Sequence, residues 1–123
     1  MITGSVNKHY EAIVRLVVRG PQGQAEEIEA IIDTGFSGWL SLPTATIAQL
    51  GLPFRRRGRA FLADGSESIF DIYEGTVVWN GQLQRTPIDE AETAPLIGMQ
   101  MLAGYELNIE VVTGGLVTVE LLP

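Results

Sequence analysis

The sequence contains no cysteine. Disulfides, thiolate metal sites and cysteine nucleophiles are therefore excluded together. A single histidine, His9, is too little for a histidine-based metal cluster. Any Ser-His-Asp triad would have to use that one imidazole. Basic residues are scarce, 8 Lys and Arg against 15 Asp and Glu, for a net charge of −7. That balance argues against nucleic-acid binding through phosphate neutralisation. No apolar run is long enough to cross a bilayer. The start, Met1-Ile2-Thr3-Gly4, shows no charged segment followed by an apolar one. The expectation is a cytoplasmic location, with no membrane partner, no metal and no cofactor.

What is present points to a mostly β chain. A length of 123 residues suits a single domain over residues 1–123, long enough to bury a core without a metal or disulfide staple. The 14 glycines and 6 prolines, among many Val, Ile and Leu, suggest short strands and frequent turns. From Tyr10 to Arg19 the chain alternates, with Ala12, Val14, Leu16 and Val18 on one face and Arg15 and Arg19 on the other. After Gly20-Pro21-Gln22-Gly23 the alternation resumes through Ile28, Ala30 and Ile32, so the two runs predict a β-hairpin. Trp39 to Leu42 is a short strand. Thr44 as N-cap and Gly51 as terminator bracket a short helix. Arg59–Ala63 and Glu67–Tyr73 flank Asp64-Gly65, a strong turn pair. Further strands, Gly75–Trp79 and Leu83–Ile88, surround Asn80-Gly81, another pair surrounds Gly114-Gly115, Glu90 to Thr93 is polar loop, and Met99 to Ala103 forms one or two helical turns. The order strand, glycine loop, helix near residues 30–51 is echoed near 94–104, without repeated identities.

Chemistry concentrates in Ala30-Ile31-Ile32-Asp33-Thr34-Gly35-Phe36-Ser37-Gly38. A carboxylate directly behind an apolar strand must be hydrogen-bonded or keep its proton. Thr34 and Ser37 offer hydroxyls, while Gly35 and Gly38 let backbone N–H groups approach. A carboxylate held in this way is positioned and tunable. The plainer reading of the same tripeptide is an acid that ends a strand and opens a loop.

Asp33-Thr34-Gly35-Phe36-Ser37-Gly38, the Asp64-Gly65 hairpin, Leu96-Ile97-Gly98 and a final β-hairpin occur in an order that resembles the aspartic peptidases. The likeness is to the single-domain retropepsin-like branch of bacteria and retroviruses, and it runs from about Tyr10 to Leu122. It implies a closed antiparallel β-barrel of the retropepsin type with one or two short helices. It also implies an aspartic endopeptidase in which Asp33 is the catalytic residue and Leu96, Ile97 and Gly98 form a second loop. A homodimer would bring two Asp33 carboxyls together, with the Thr34 hydroxyl bonding across the pair and the Gly35 N–H and Ser37 hydroxyl holding the carboxylate. Ala63, Asp64, Gly65 and Ser66 would tip a flap over a peptide or protein substrate; read from its own residues, the hairpin is equally an ordinary surface one.

Departures from the retroviral pattern are visible. Phe36-Ser37 follows the tripeptide where retroviral members have Ala, Met99 stands where they carry a dimer-bracing Arg, and the candidate flap has only Gly65. Val117, Val119 and Leu121 could form an interleaved dimer strand or ordinary core. The alternative is a non-catalytic peptide-binding or dimerisation module of the same fold. An unrelated ligand-binding barrel is a weaker third reading. Arg55-Arg56-Arg57 and Arg59 read as a solvated face, Trp39 and Trp79 as core, His9 as surface, and Met99 and Met101 as packing filler.

Overall fold

A computed structural model describes residues 1–123. The hairpin read from alternation is β2 (Ala12–Arg19) and β3 (Ala25–Ile32). Ala12, Val14, Leu16 and Val18 are buried on one face of β2, as are Ile28, Ala30 and Ile32 on β3. Each strand thus has one face in the core and one in solvent, the condition that makes period two visible in a sequence. The exposed face is polar, with Arg15 against Glu29 at 2.8 Å.

Three strands come together beyond this hairpin. These are β4 (Leu40–Leu42), β7 (Gln82–Glu90) and β8 (Leu96–Ile97). β8 inserts between β3 and β4, parallel to the first and antiparallel to the second. β4 in turn lies parallel to β7. β6 (Glu67–Trp79) pairs with β7 and, through Val17↔Val78, with β2. The sequence β2-β3-β8-β4-β7-β6 therefore closes on itself as a barrel of six strands. Its interior is apolar: Val14, Val18, Leu40, Val77, Ile88 and Ile97 are each 0% exposed.

The remaining elements attach to this barrel. The first half of β2 pairs with β1 (Ile2–Val6), which pairs with β10 (Leu116–Leu121), which pairs with the edge strand β9 (Tyr105–Ile109). Val117 and Val119 are core, so β10 is enclosed by neighbours of its own chain. β5 (Phe54–Phe61) pairs with the first half of β6 in a hairpin that projects past the barrel. Helices α1 (Thr44–Leu50) and α2 (Met99–Leu102) follow β4 and β8, so the echo along the chain is an echo of architecture. No helix is long and apolar enough to cross a membrane.

Several local expectations need correction. Thr44 is the first residue of α1 and Pro43 occupies the cap, with no side-chain bond of its own. The cap is supplied from outside: Thr44 N–H donates to Glu92 Oε1 at 2.8 Å, and the Thr44 hydroxyl bonds the same oxygen. Gly51 ends the helix in the left-handed region, as expected. β5 begins at Phe54, because Arg55, Arg57 and Arg59 are each matched across the hairpin by Glu74, Asp71 and Glu67. β6 is one strand, unbroken at Glu74, and β7 runs on to Glu90. β1 was not foreseen. Met101 packs in the core, but Met99 is 48% exposed. Trp79 is core, edge-on to Tyr105.

Candidate active site

Asp33 leaves the barrel at the end of β3. Its backbone N–H donates to the Ile97 carbonyl at 2.9 Å, continuing the parallel ladder of β3 and β8 by one rung. Its own carbonyl accepts from Phe36 N–H at 3.1 Å, closing a turn. The backbone is therefore fixed on both sides of the acid. Asp33 as a residue is half-buried, and its Oδ1 accepts the Gly35 N–H at 2.9 Å.

The two loops named from the sequence lie against each other. Gly98 N–H donates to the Trp39 carbonyl at 2.9 Å, Met99 N–H to Phe36 at 2.9 Å and Gln100 N–H to Gly38 at 3.0 Å. A side chain at position 98 would place its Cβ 2.2 Å from the Gly38 carbonyl oxygen, so only glycine fits this approach. The Phe36 ring fills the space over both glycines, within 2.6 Å of a hypothetical Cβ at Gly38 and 2.8 Å of one at Gly98. Leu96, Ile97 and Gly98 thus hold the Asp33 loop in place.

Other expected partners are placed differently. Ser37 is exposed and makes no hydrogen bond to the Asp33 carboxylate, which is held within the chain by Gly35 alone. Thr34 is exposed.

Asp33 opens onto a cleft of about 740 Å³. One wall is the Asp33 loop and the other is the β5–β6 hairpin, which contributes Ala60, Phe61, Ser68 and Phe70. Gly58 allows this wall to be flat, since a Cβ there would meet the Phe70 ring at 2.7 Å. The expected tip residues Ala63, Asp64, Gly65 and Ser66 lie beyond the lined part of the cleft. Asp64 is engaged in the turn, accepting from the Ser66 N–H at 2.8 Å and hydroxyl at 2.6 Å. Those bonds hold its carboxyl below the usual range. Gly65 takes a φ of 86°, the left-handed value the turn requires.

One acid in the cleft was not anticipated. Asp89 lies on the part of β7 beyond Ile88, past the end of the strand expected from the sequence. Burial pushes its carboxyl up to about 6, against the opposing pull of Arg56. The only sequence signal was its phase: it continues the half-exposed face of β7 two residues after Pro87. Trp39, expected as core, is half-buried and contributes to the cleft. No group of three or more His, Cys, Asp or Glu side chains converges as a metal site.

On the other side of Asp33 is a smaller apolar hollow of about 390 Å³, whose lining includes Tyr10, Ile31, Leu96, Ile109 and Val111. Asp33 and Leu96 belong to both cavities, so the acid lies on the ridge between a cleft and an apolar face.

No protein-family model and no curated protein matches the sequence. Among solved structures the chain is similar to a retropepsin-like aspartic protease from Rickettsia conorii. The TM-score is 0.58 at 15% identity, covering 99% of this chain and 91% of that one. With the barrel, the inserted β8 and the glycine-locked loops all in place, this chain has the retropepsin-like fold.

Proposed function

We propose that the protein is an aspartic endopeptidase whose site is completed when two copies bring their Asp33 residues together. The observation that carries this reading is Asp33 itself, fixed at the end of a barrel strand, braced by Ile97 and Gly98 and open to a peptide-sized cleft in a retropepsin-like fold. Each chain supplies one such acid. The apolar hollow on its far side, next to exposed Tyr10 and Val111, is a surface a second copy can cover.

Two carboxyls in contact cannot both ionise, so the pair shares one proton. That sharing is an established property of aspartic-protease carboxylate pairs. The ionised member takes a proton from water, which attacks the peptide carbonyl, and the protonated member donates to the carbonyl oxygen. No covalent enzyme intermediate forms. The β5–β6 hairpin would close over an extended peptide, excluding water and offering backbone hydrogen bonds.

The test is peptide cleavage from acid to neutral pH by the native chain and by Asp33→Asn. The variant should keep the fold and lose at least ~100-fold in kcat/KM. Equal turnover by both would overturn the proposal.

Exposed Met99 favours a second reading, a peptide-binding module without catalysis, because it offers no ionic brace between copies. A strict monomer at high concentration, inactive at every pH, would select that reading.

A further inference from the structure

The floor of the cleft is a row of side chains running across four strands. Ser41 on β4 is level with Asp89 on β7, Asp89 with Ile72 on β6, and Ile72 with Arg56 on β5. All four line the cleft that also holds Asp33. We infer that Asp89 determines specificity, receiving a lysine or arginine side chain of the substrate peptide beside the Asp33 loop. The inference rests on the peptidase reading above and names the substrate class for that cleft.

Three features make this a built site. First, Asp89 is unpaired. Arg55, Arg57 and Arg59 each join an ion pair across the hairpin, whereas neither Arg56 nor Asp89 does. Ile72 stands between those two, separating their backbones by two strand spacings, about 10 Å. Second, the half-buried carboxylate borders the Asp33 loop. Gly38 faces it, and a Cβ at that position would lie 3.2 Å from Asp89 Oδ2. Third, the neighbouring Ser41 hydroxyl is buried and has no hydrogen-bond partner. Such a group is costly to leave unmatched, and Asp89 is level with it on the adjacent strand.

Charge selects the sign of the ligand. Asp89 is half-buried on a barrel wall, where burial already disfavours its ionised form. A cationic side chain would relieve that penalty directly. Arg56 is exposed, so its attraction for an anion is screened by solvent. The other charged groups of the cleft are Arg59 on β5, Glu90 beside Asp89 and Asp33 on the loop. Ser41 on β4 and Ile72 on β6 bring no charge.

The experiment compares peptides that differ only in lysine against norleucine, placed in turn at each position around the cleaved bond. The native chain should prefer lysine by at least ~10-fold in kcat/KM at one position. Asp89→Asn, which preserves shape, should abolish that ratio. The native ratio should decline as pH falls through about 6, while that of Asp89→Asn stays flat. Because the ratio compares two peptides on one enzyme, the titration of Asp33 cancels. Indifference to lysine at every position, or a preference that survives Asp89→Asn, would overturn the inference. If the native chain cleaves nothing, the peptidase reading fails separately, and calorimetry on the Asp33→Asn variant decides this one. Tighter binding of a lysine peptide, lost on adding Asp89→Asn, supports it; equal affinities refute it.

Discussion

Gly98 approaches the Gly38 carbonyl so closely that a single methyl group at position 98 would overlap it, at 2.2 Å. The obstacle is backbone, which cannot rotate away as a side chain can. Gly98→Ala should therefore force the two loops apart and cost about 3 kcal/mol or more. Urea unfolding checks this. The same variant should lose activity more steeply than stability, because the displaced loop carries Asp33.

Asp89 makes stability depend on pH in a defined sense. Its folded value of about 6 lies above its ordinary 3.8, so the folded chain binds more protons between those values. Stability should fall as pH rises from about 4 to about 6 and level off above. Asp89→Asn removes this slope and should be the more stable protein at pH 7. The full shift corresponds to about 3 kcal/mol, and solvent screening of a half-exposed carboxylate lowers the expected gain to about 1 kcal/mol. Thermal melts of both proteins across this range test the sign.

Glu92 caps α1 from a distant loop, and its bonds to Thr44 hold its carboxyl below the usual range. A carboxylate depressed by folding contributes above its unfolded value and ceases to contribute as pH falls through the folded one. Glu92→Gln should therefore lower the melting temperature slightly at neutral pH and not at all in strong acid.

The arginine ladder on the β5–β6 hairpin is solvent-exposed. Arg57 lies 3.5 Å from Asp71, with its side chain 74% exposed. Arg57→Ala should change stability by less than about 0.5 kcal/mol. A larger loss in chemical denaturation would mean that the ladder braces the hairpin rather than merely solubilising it.

Legibility followed how local the cause was. β2 and β3 could be read because each buries a single face, through Val14, Leu16 and Val18 on one and Ile28 and Ala30 on the other. The Asp33 loop could be read because its turn bonds join residues close in sequence, Gly35 to Asp33 and Phe36 to Asp33. β1 could not, since Ile2 and Thr3 pair with β10 at the far end of the chain and only Gly4, Ser5 and Val6 meet the nearby β2. The start of β5 was hidden by a run of arginines whose partners lie on β6. Asp89 escaped because its significance comes from Ser41, Ile72 and Arg56, neighbours across the sheet rather than along the chain. The Glu92 cap was missed for the same reason.

The enclosure of β10 between β1 and β9 separates two events that exchange of a terminal strand would fuse. A solitary copy has β10 paired on both edges within its own chain, so the fold does not wait on association. Under the proposed pairing of Asp33 residues, dilution would silence turnover without unfolding the chain: activity per chain would fall with concentration, and the melting temperature would decline only to the value of a single copy and hold there.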